Sequence, residues 1–246
     1  MGDGSVQSLV VPIGATRLFL GTDDGFGWNK NTGFYDVTLQ NVTPPSSVPD
    51  AGSTIAMLET ALGMIGLPKD FPAAIAIVMH LAPDHESLLA EILKWRTHLQ
   101  VTQAHTGDVL VPSKVFVAPP NHHLFVVKGD RLKLSSSHAE KIHFVRPSAE
   151  PLFASVAEVY GKNAIAVVLT GGDGDGSFGV QIIKDKGGTV IAQDRPTSEN
   201  FSMPETSIRT GDVDYILPLN QIAAMLISLI RTSNQSKNGR STAKNK

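Results

Sequence analysis

The chain has 246 residues, of which 41% are hydrophobic and 18% are charged, and its formal net charge is −2. This composition is typical of a globular protein that buries a core, and the near-neutral charge gives no general attraction to nucleic acid or to an anionic membrane. Cysteine is absent, which excludes disulfides, thiolate metal ligands and a cysteine nucleophile.

The amino terminus, GDGSVQ after Met1, has neither a basic segment nor a long apolar segment. The longest apolar stretches, such as residues 222–230, are far shorter than the roughly 20 residues that a membrane-spanning helix needs. We therefore expect neither a secretory signal nor membrane insertion, and the absence of cysteine fits a soluble, cytoplasmic protein.

Three zones differ in their residue patterns. Residues 1–52 contain one strand-like run, at 8–15, followed by an irregular insertion rich in Gly, Asp, Asn and Pro. Residues 53–230 alternate between helical and extended patterns and are predicted to form the main domain, to which the strand at 8–15 is assigned as well. Residues 231–246 are polar and basic without periodicity, and we predict a disordered tail there.

The main zone alternates helices with strands. Helices are predicted at 53–65, 85–99, 150–161, 176–186 and 221–230, and strands at 73–81, 114–120, 123–135, 164–170, 189–193 and 213–219. The strands at 114–120 and 123–135 are interpreted as lying around a Pro-Pro-Asn turn. The pattern predicts an α/β fold: a doubly wound, mostly parallel sheet with helices on both faces, together with a small antiparallel hairpin. In such sheets, catalytic groups gather at the carboxyl ends of the strands.

A glycine-rich loop follows the predicted strand at 164–170. Gly174, Gly176 and Gly179 have the G-x-G-x-x-G spacing of a dinucleotide-binding turn, and Asp194 stands where such a motif carries its acidic residue. By spacing alone, the loop is a candidate phosphate site of an oxidoreductase.

Two aspartates in the same loop oppose that interpretation. Asp173 and Asp175 would repel a bound phosphate, each by about 1 kcal/mol in bulk water and about 4 kcal/mol at an effective dielectric of 20. The loop has no Walker lysine, and Phe178 stands where an EF-hand calcium loop requires glycine. Two interpretations remain open: the acids only cap the following helix, or one of them orients a catalytic group such as a histidine.

His80 lies at the carboxyl end of the predicted strand at 73–81. A single histidine in that position is more often structural than catalytic. Paired with an aspartate at the end of another strand of the same sheet, it becomes a candidate for a Ser-His-Asp site. The chain has neither the H-E-x-x-H motif of zinc peptidases nor the G-x-S-x-G motif of α/β-hydrolases.

Five blocks follow one another between about residue 67 and residue 230: LPKDFPAAIAIVMHLAP, VFVAPPNHHLFV, RPSAEPLFASVAEVYG, VVLTGGDGDGSFGVQIIKDKGGTVIAQD and SMPETSIRTGDVDYILPL. In this order they resemble the catalytic domain of the chemotaxis protein-glutamate methylesterase family. Members of that family hydrolyse glutamate methyl esters on chemoreceptors and often deamidate receptor glutamines. The resemblance implies a cytoplasmic hydrolase of chemotaxis that needs no metal ion or organic cofactor.

The resemblance also implies a Ser-His-Asp site. The family's catalytic histidine falls on His80, in MHLAP, and its aspartate falls on Asp175, in LTGGDGDG. Counting back from Leu67 and Pro68, the nucleophilic serine falls on Ser53.

Three further positions follow from the same resemblance. Backbone N–H groups near Thr54 or Gly172 are implied as oxyanion donors, and Met203 keeps the methionine of the family's GMP segment. The implied partners are methylated cytoplasmic helices of chemoreceptors and other chemosensory proteins.

The sequence departs from the family around the nucleophile. In VVPIGAT, Thr16 stands where the serine would be, and residues 16–52 separate that strand from Ser53. In one alternative Ser53 still works with His80. In the other, Ser53 only caps its helix and the chain is a catalytically impaired adaptor of chemosensory signalling. A dinucleotide-binding oxidoreductase ranks below both. The insertion is too short for the receiver domain common in this family, so we expect the domain to act without one.

Overall fold

The computed structural model describes residues 66–80, 89–172 and 174–242, except for the side chains of 232–242. These residues belong to one unit of the chain, Gly52–Lys246. The predicted strand at 8–15 and the predicted helix at 53–65 lie outside the described residues.

In the described ranges there are eight strands: β1 Ile75–Ile77, β2 Gln100–Gln103, β3 Lys114–Val117, β4 Leu124–Val127, β5 Arg131–Leu134, β6 Ile165–Val168, β7 Thr189–Gln193 and β8 Tyr215–Leu217. The α-helices there are α1 Leu89–Arg96, α2 Ala149–Tyr160, α3 Ser177–Asp185, α4 Ser202–Arg209 and α5 Leu219–Thr242. A 3₁₀ turn, Gly161–Asn163, follows α2.

Six of these strands form two parallel three-stranded sheets. In the first, β3 lies between β1 and β2, so that Val115 pairs with Ile75 on one side and with Val101 on the other. In the second, β7 lies between β6 and β8. The predicted parallel α/β architecture is confirmed.

The antiparallel hairpin consists of β4 and β5. Its turn contains Gly129 and Asp130, both at positive φ, a conformation that these two residue types adopt more readily than most. The run at 123–135 is therefore two strands, and its partner is not the strand that precedes the Pro-Pro-Asn turn. That strand, β3, lies in a parallel sheet instead.

Alternate residues of the two central strands face different helices, as the two-residue period of a strand requires. Val115 and Val117 of β3 pack with α1, whereas Phe116 packs with the hairpin and α2. In the second sheet, Val190 of β7 packs with α2 and α3, whereas Ile191 packs with α5. Helices thus cover both faces, and both central strands are buried.

Two elements lie where the sequence pattern predicts none. Strand β2 has the sequence QVTQ, which contains no apolar run, and pairing with β3 sets its conformation. Helix α4 has the sequence SMPETSIR. Its Pro204 lies in the first turn, where the missing N–H costs no helical hydrogen bond, so the proline does not exclude a helix.

Helix α5 is longer than predicted and continues to Thr242. The disordered tail that the polar composition predicts from residue 231 is instead helical over most of its length. A helix that is already nucleated gains one hydrogen bond for each added residue, even where no apolar face is present. Within the described ranges, no helix is both long and apolar enough to cross a membrane.

Candidate active site

His80 and Asp175 are in direct contact, although 95 residues separate them in sequence. His80 follows β1 and Asp175 follows β6, so each lies beyond the carboxyl end of a parallel strand. In the described ranges these two strands belong to different three-stranded sheets, not to the single sheet predicted. The Nε2 atom of His80 lies 2.7 Å from Oδ2 of Asp175. The aspartate side chain is fully buried, and the histidine side chain is 25% exposed. The structure therefore brings together two of the residues predicted for the site.

Two further donors fix the Asp175 carboxylate. The hydroxyl of Ser148 donates to Oδ1 at 2.6 Å, and the backbone N–H of Ala149 donates to Oδ2 at 2.6 Å. Ala149 is the first residue of α2, so the carboxylate lies at the positive end of that helix dipole. Oδ2 of Asp175 thus accepts the N–H of Ala149 and also contacts Nε2 of His80.

The pKa of Asp175 lies below its ordinary value of 3.8. Burial raises this pKa, because it removes the ionised carboxylate from water. The hydrogen bond from His80 lowers the pKa, and those from Ala149 and Ser148 add to that effect. Asp175 is therefore an anion at neutral pH and can stabilise a positively charged imidazole.

A second buried carboxylate, that of Glu150, lies beside this pair. Glu150 is the second residue of α2, and it accepts the N–H of Phe178 at 3.0 Å and the N–H of Gly179. Both donors belong to the first turn of α3. Helix α3 follows Gly176, which has no side chain with which to cap it.

The two helices are thus capped reciprocally. Asp175, from the loop before α3, caps α2, and Glu150, from the start of α2, caps α3. Of the two interpretations of the acidic loop, the contact with His80 supports the one in which an acid orients a histidine. The helix that Asp175 caps is α2, not the one that follows it. Asp173 lies outside the described residues.

The glycine spacing now has a local explanation. Gly176 has φ of 88°, in the left-handed region that favours glycine. A Cβ on Gly179 would lie 2.7 Å from Cβ of Phe153 and 3.0 Å from a carboxylate oxygen of Glu150. The N–H groups that would bind a phosphate in a dinucleotide site are bonded to Glu150 instead. Asp194 accepts the N–H and the hydroxyl of Thr197, which makes it part of a turn.

His143 completes a group of three titratable side chains with Glu150 and Asp175, whose nearest ligand-type atoms all lie within 4.8 Å of one another. The Nε2 atom of His143 lies 3.7 Å from Oε1 of Glu150. Burial raises the pKa of Glu150, with a smaller upward contribution from Asp175, while the two amide hydrogen bonds and His143 oppose the rise. Both carboxylate oxygens of Asp175 and both of Glu150 accept N–H or O–H groups. These hydrogen bonds favour helix capping over metal coordination as the role of the two carboxylates.

The predicted oxyanion region is a loop held against α4. The N–H of Gly171 donates to the carbonyl of Asn200 at 2.9 Å, and the N–H of Met203 donates to the carbonyl of Gly171 at 3.0 Å. A Cβ on Gly171 would lie 2.1 Å from the sulfur of Met203, so the methionine packs directly on this glycine. Gly172 is the next residue, so the structure places Gly172 beside the start of α4, which carries Met203.

Ser53, Thr54 and Thr16 lie outside the described residues, and their roles stay predictions. Ser148 and Glu150, by contrast, are site residues that the sequence reasoning does not identify. Ser148 carries a weak signal, since serine before a helical pattern is a preferred N-cap. Glu150 carries none, because its partners lie in another helix.

Comparison with known proteins points to one family. The family model described as CheB methylesterase matches residues 53–226. A protein-glutamate methylesterase/protein-glutamine glutaminase of Pyrococcus horikoshii is 37% identical over 164 residues, which are 66% of this chain and 45% of that protein. One of Anaeromyxobacter dehalogenans is 41% identical over 167 residues, 68% of this chain and 48% of that protein. The chain spans about half the length of these curated relatives.

A shorter relative and a solved structure agree with this result. A putative protein-glutamate methylesterase/protein-glutamine glutaminase of Leptospira interrogans is 36% identical over 163 residues, 66% of this chain and 83% of that protein. The crystal structure of the Thermotoga maritima CheB methylesterase catalytic domain superposes with a TM-score of 0.65 at 37% identity, covering 70% of this chain and 92% of that one.

Proposed function

Because the chain belongs to the CheB methylesterase family, we propose that it hydrolyses glutamate γ-methyl esters on the cytoplasmic helices of methylated chemoreceptors, and that it deamidates receptor glutamines at the same site. The observation that carries this proposal is the 2.7 Å hydrogen bond between His80 and the buried, ionised Asp175. A Ser-His-Asp hydrolase needs such a pair, with the histidine as its base and the aspartate as the group that orients the base.

In the proposed reaction, the hydroxyl oxygen of Ser53 attacks the γ-carbonyl carbon of the ester. Since Nε2 of His80 faces Asp175, Nδ1 takes the serine proton. His80 then gives that proton to the leaving methoxide, so that the bond between carbon and methoxy oxygen breaks and methanol departs. Asp175 stabilises the imidazolium between these two transfers.

The second half of the reaction removes the acyl group from Ser53. His80 takes a proton from water, whose oxygen attacks the same carbon, and the bond to the serine oxygen breaks. The proton returns to Ser53 and the receptor is left with a free glutamate. With a glutamine substrate the leaving group is ammonia, and the steps are otherwise the same.

The negative charge that develops on the carbonyl oxygen needs donors. Backbone N–H groups near Thr54 or Gly172 are the proposed ones, and such a donor contributes about 3–4 kcal/mol in comparable sites. The packing of Met203 on Gly171 supports this assignment, because it holds the loop at Gly172 against the start of α4.

The test is the release of methanol from methylated receptor membranes by the wild-type protein and by two variants. Ser53→Ala removes the proposed nucleophile, and we expect its rate to fall by about 10³-fold or more. Thr16→Ala, which removes the hydroxyl at the end of the family-like VVPIGAT segment, should keep the wild-type rate.

Full activity in Ser53→Ala would exclude Ser53 as the nucleophile, and loss of activity only in Thr16→Ala would assign that role to Thr16. A wild-type protein that binds receptor membranes but releases no methanol would replace the proposal with the adaptor function.

A further inference from the structure

We propose that Glu150 is a positioning residue for the His80–Asp175 pair, acting through its cap on helix α3. The inference rests on the proposed function for the catalytic role of the pair, but its structural basis is independent of the substrate. Glu150 acts on the pair through the backbone that carries Asp175.

The start of helix α3 sets the position of Asp175. Asp175 lies two residues before Ser177, the first residue of α3, so the position of its backbone follows the amino terminus of that helix. Glu150 holds this terminus through the N–H groups of Phe178 and Gly179. A shift of α3 relative to α2 therefore moves Asp175.

The Asp175 carboxylate cannot follow such a shift freely. Its Oδ2 is bonded to the N–H of Ala149 in α2 and to Nε2 of His80 after β1. If α3 moves, Asp175 must stretch one of these two contacts. Catalytic groups that are displaced by about 1 Å can lose about 10²-fold in rate, so a small shift here matters.

The chain leaves room for the Glu150 carboxylate at the amino terminus of α3. Gly176 offers no side chain to compete for the α3 amides, and any Cβ at position 179 would lie 3.0 Å from Oε2 of Glu150. The carboxylate also accepts its two N–H groups while buried, at a cost that shows in its raised pKa. The left-handed backbone at position 176 disfavours a capping serine or aspartate there, so the free amides of α3 need an acceptor from another element, and Glu150 is that acceptor.

The experiment compares two changes of the same kind on helix α2. Glu150→Gln keeps the size of the side chain but removes the charge, and it places an amide NH₂ against a backbone donor. The matched control is Glu158→Gln, because Glu158 also links α2 to α3, through a 2.7 Å ion pair with Lys186, but it is exposed and lies at the other end of both helices.

Three quantities are measured for each protein: kcat and KM for methanol release, the titration of the His80 ring by NMR, and the midpoint of urea unfolding. For Glu150→Gln we expect kcat to fall by about tenfold or more with KM within twofold, and the midpoint of the His80 titration to move to lower pH as its contact with Asp175 weakens. For Glu158→Gln we expect wild-type kcat and an unchanged His80 titration.

A Glu150→Gln protein that unfolds at lower urea concentration but keeps the wild-type kcat and His80 titration would overturn the inference and leave Glu150 a structural cap. The His80 titration requires no substrate, so the inference and the proposed function fail separately. If the wild-type protein releases no methanol while the His80 titration moves in Glu150→Gln alone, the positioning role stands and the esterase proposal falls.

Discussion

The Nε2 atom of His80 lies 2.7 Å from Oδ2 of Asp175, which leaves Nδ1 as the ring nitrogen on the other side of the imidazole. In the familiar Ser-His-Asp arrangement the aspartate faces Nδ1 and the nucleophile faces Nε2. Here the aspartate faces Nε2, so the proposed nucleophile would use Nδ1. The chemistry is unaffected, because either nitrogen of a neutral imidazole can donate while the other accepts.

This relationship predicts the tautomer of His80. The ionised Asp175 can only accept hydrogen bonds, so the neutral ring must carry its proton on Nε2. Nitrogen-15 NMR of the protein, at a pH above the His80 titration, should show a protonated Nε2 and an unprotonated Nδ1. The same spectrum of Asp175→Asn provides the assignment, since only signals of the contacting ring should shift. A proton on Nδ1 in the wild-type protein would contradict the proposed direction of proton transfer.

Asp175→Asn should lower kcat by about 10⁴-fold with little change in KM, because the amide can neither stabilise the imidazolium nor hold the ring in the required tautomer. Methanol release as a function of substrate concentration measures both constants. A rise in KM with kcat unchanged would mean that Asp175 serves substrate binding and not the base.

The stability of Asp175→Asn should also differ from that of the wild type in a pH-dependent way. The pKa of Asp175 lies below 3.8, so the ionised group stabilises the folded protein above that pH, and the contribution is lost as the pH falls through the folded-state pKa. The gap in unfolding free energy should therefore be widest near neutral pH and should narrow below about pH 4. The raised pKa of Glu150 acts in the opposite direction, but that residue is present in both proteins. Urea unfolding at several pH values provides the measurement, and a constant gap would argue against an ionised Asp175.

The sequence predicts the residues of the His80–Asp175 pair, but it does not predict that Glu150 caps the helix next to Asp175. His80 and Asp175 each follow an apolar strand, and the carboxyl ends of parallel strands are where functional groups gather, so both were predictable as site residues, although their strands belong to different sheets in the described ranges. The cap on α3 was not predictable, because Glu150 lies 28 residues from Phe178 and no local rule connects them. Helix signals in sequence concern the helix's own residues, whereas here each helix is capped by the other.

The same distinction between local and distant causes applies to the fold. The helix α2 and the strand β7 follow from periodicity, because buried faces impose it. Strand β2 and the end of α5 show no such periodicity in their sequences, and they follow from pairing with β3 and from extension of an existing helix.

Ser148→Ala tests the remaining donor to the aspartate. The hydroxyl donates to Oδ1 of Asp175 at 2.6 Å and accepts the N–H of Glu150 at 3.2 Å, so its loss removes an N-cap as well as a carboxylate partner. We expect a loss of about 1–2 kcal/mol in the free energy of unfolding and a fall in kcat smaller than that of Asp175→Asn.

The matched control for this variant is Ser155→Ala on the same helix. The Ser155 hydroxyl also bridges two backbone groups, accepting the N–H of Val126 at 3.0 Å and donating to the carbonyl of Leu152 at 3.0 Å. It should lose comparable stability and keep its kcat. Equal losses of kcat in both variants would show that stability, and not the contact with Asp175, limits the activity.

Gly179→Ala tests the space that Glu150 occupies without changing any charge. Alanine normally stabilises a helix by about 1 kcal/mol relative to glycine. At this position its Cβ would lie 2.7 Å from Cβ of Phe153 and 3.0 Å from Oε2 of Glu150, so the two helices must separate or the carboxylate must leave its amides. We expect a net loss of about 1–3 kcal/mol in stability, as for other overpacked sites, together with a lower kcat.

Gln181→Ala, at an exposed position of the same helix, is the control for helix propensity and should be neutral or slightly stabilising. Chemical unfolding and methanol release measure the two effects, and a Gly179→Ala protein as stable and as active as Gln181→Ala would show that α3 can shift against α2 without moving Asp175 from His80.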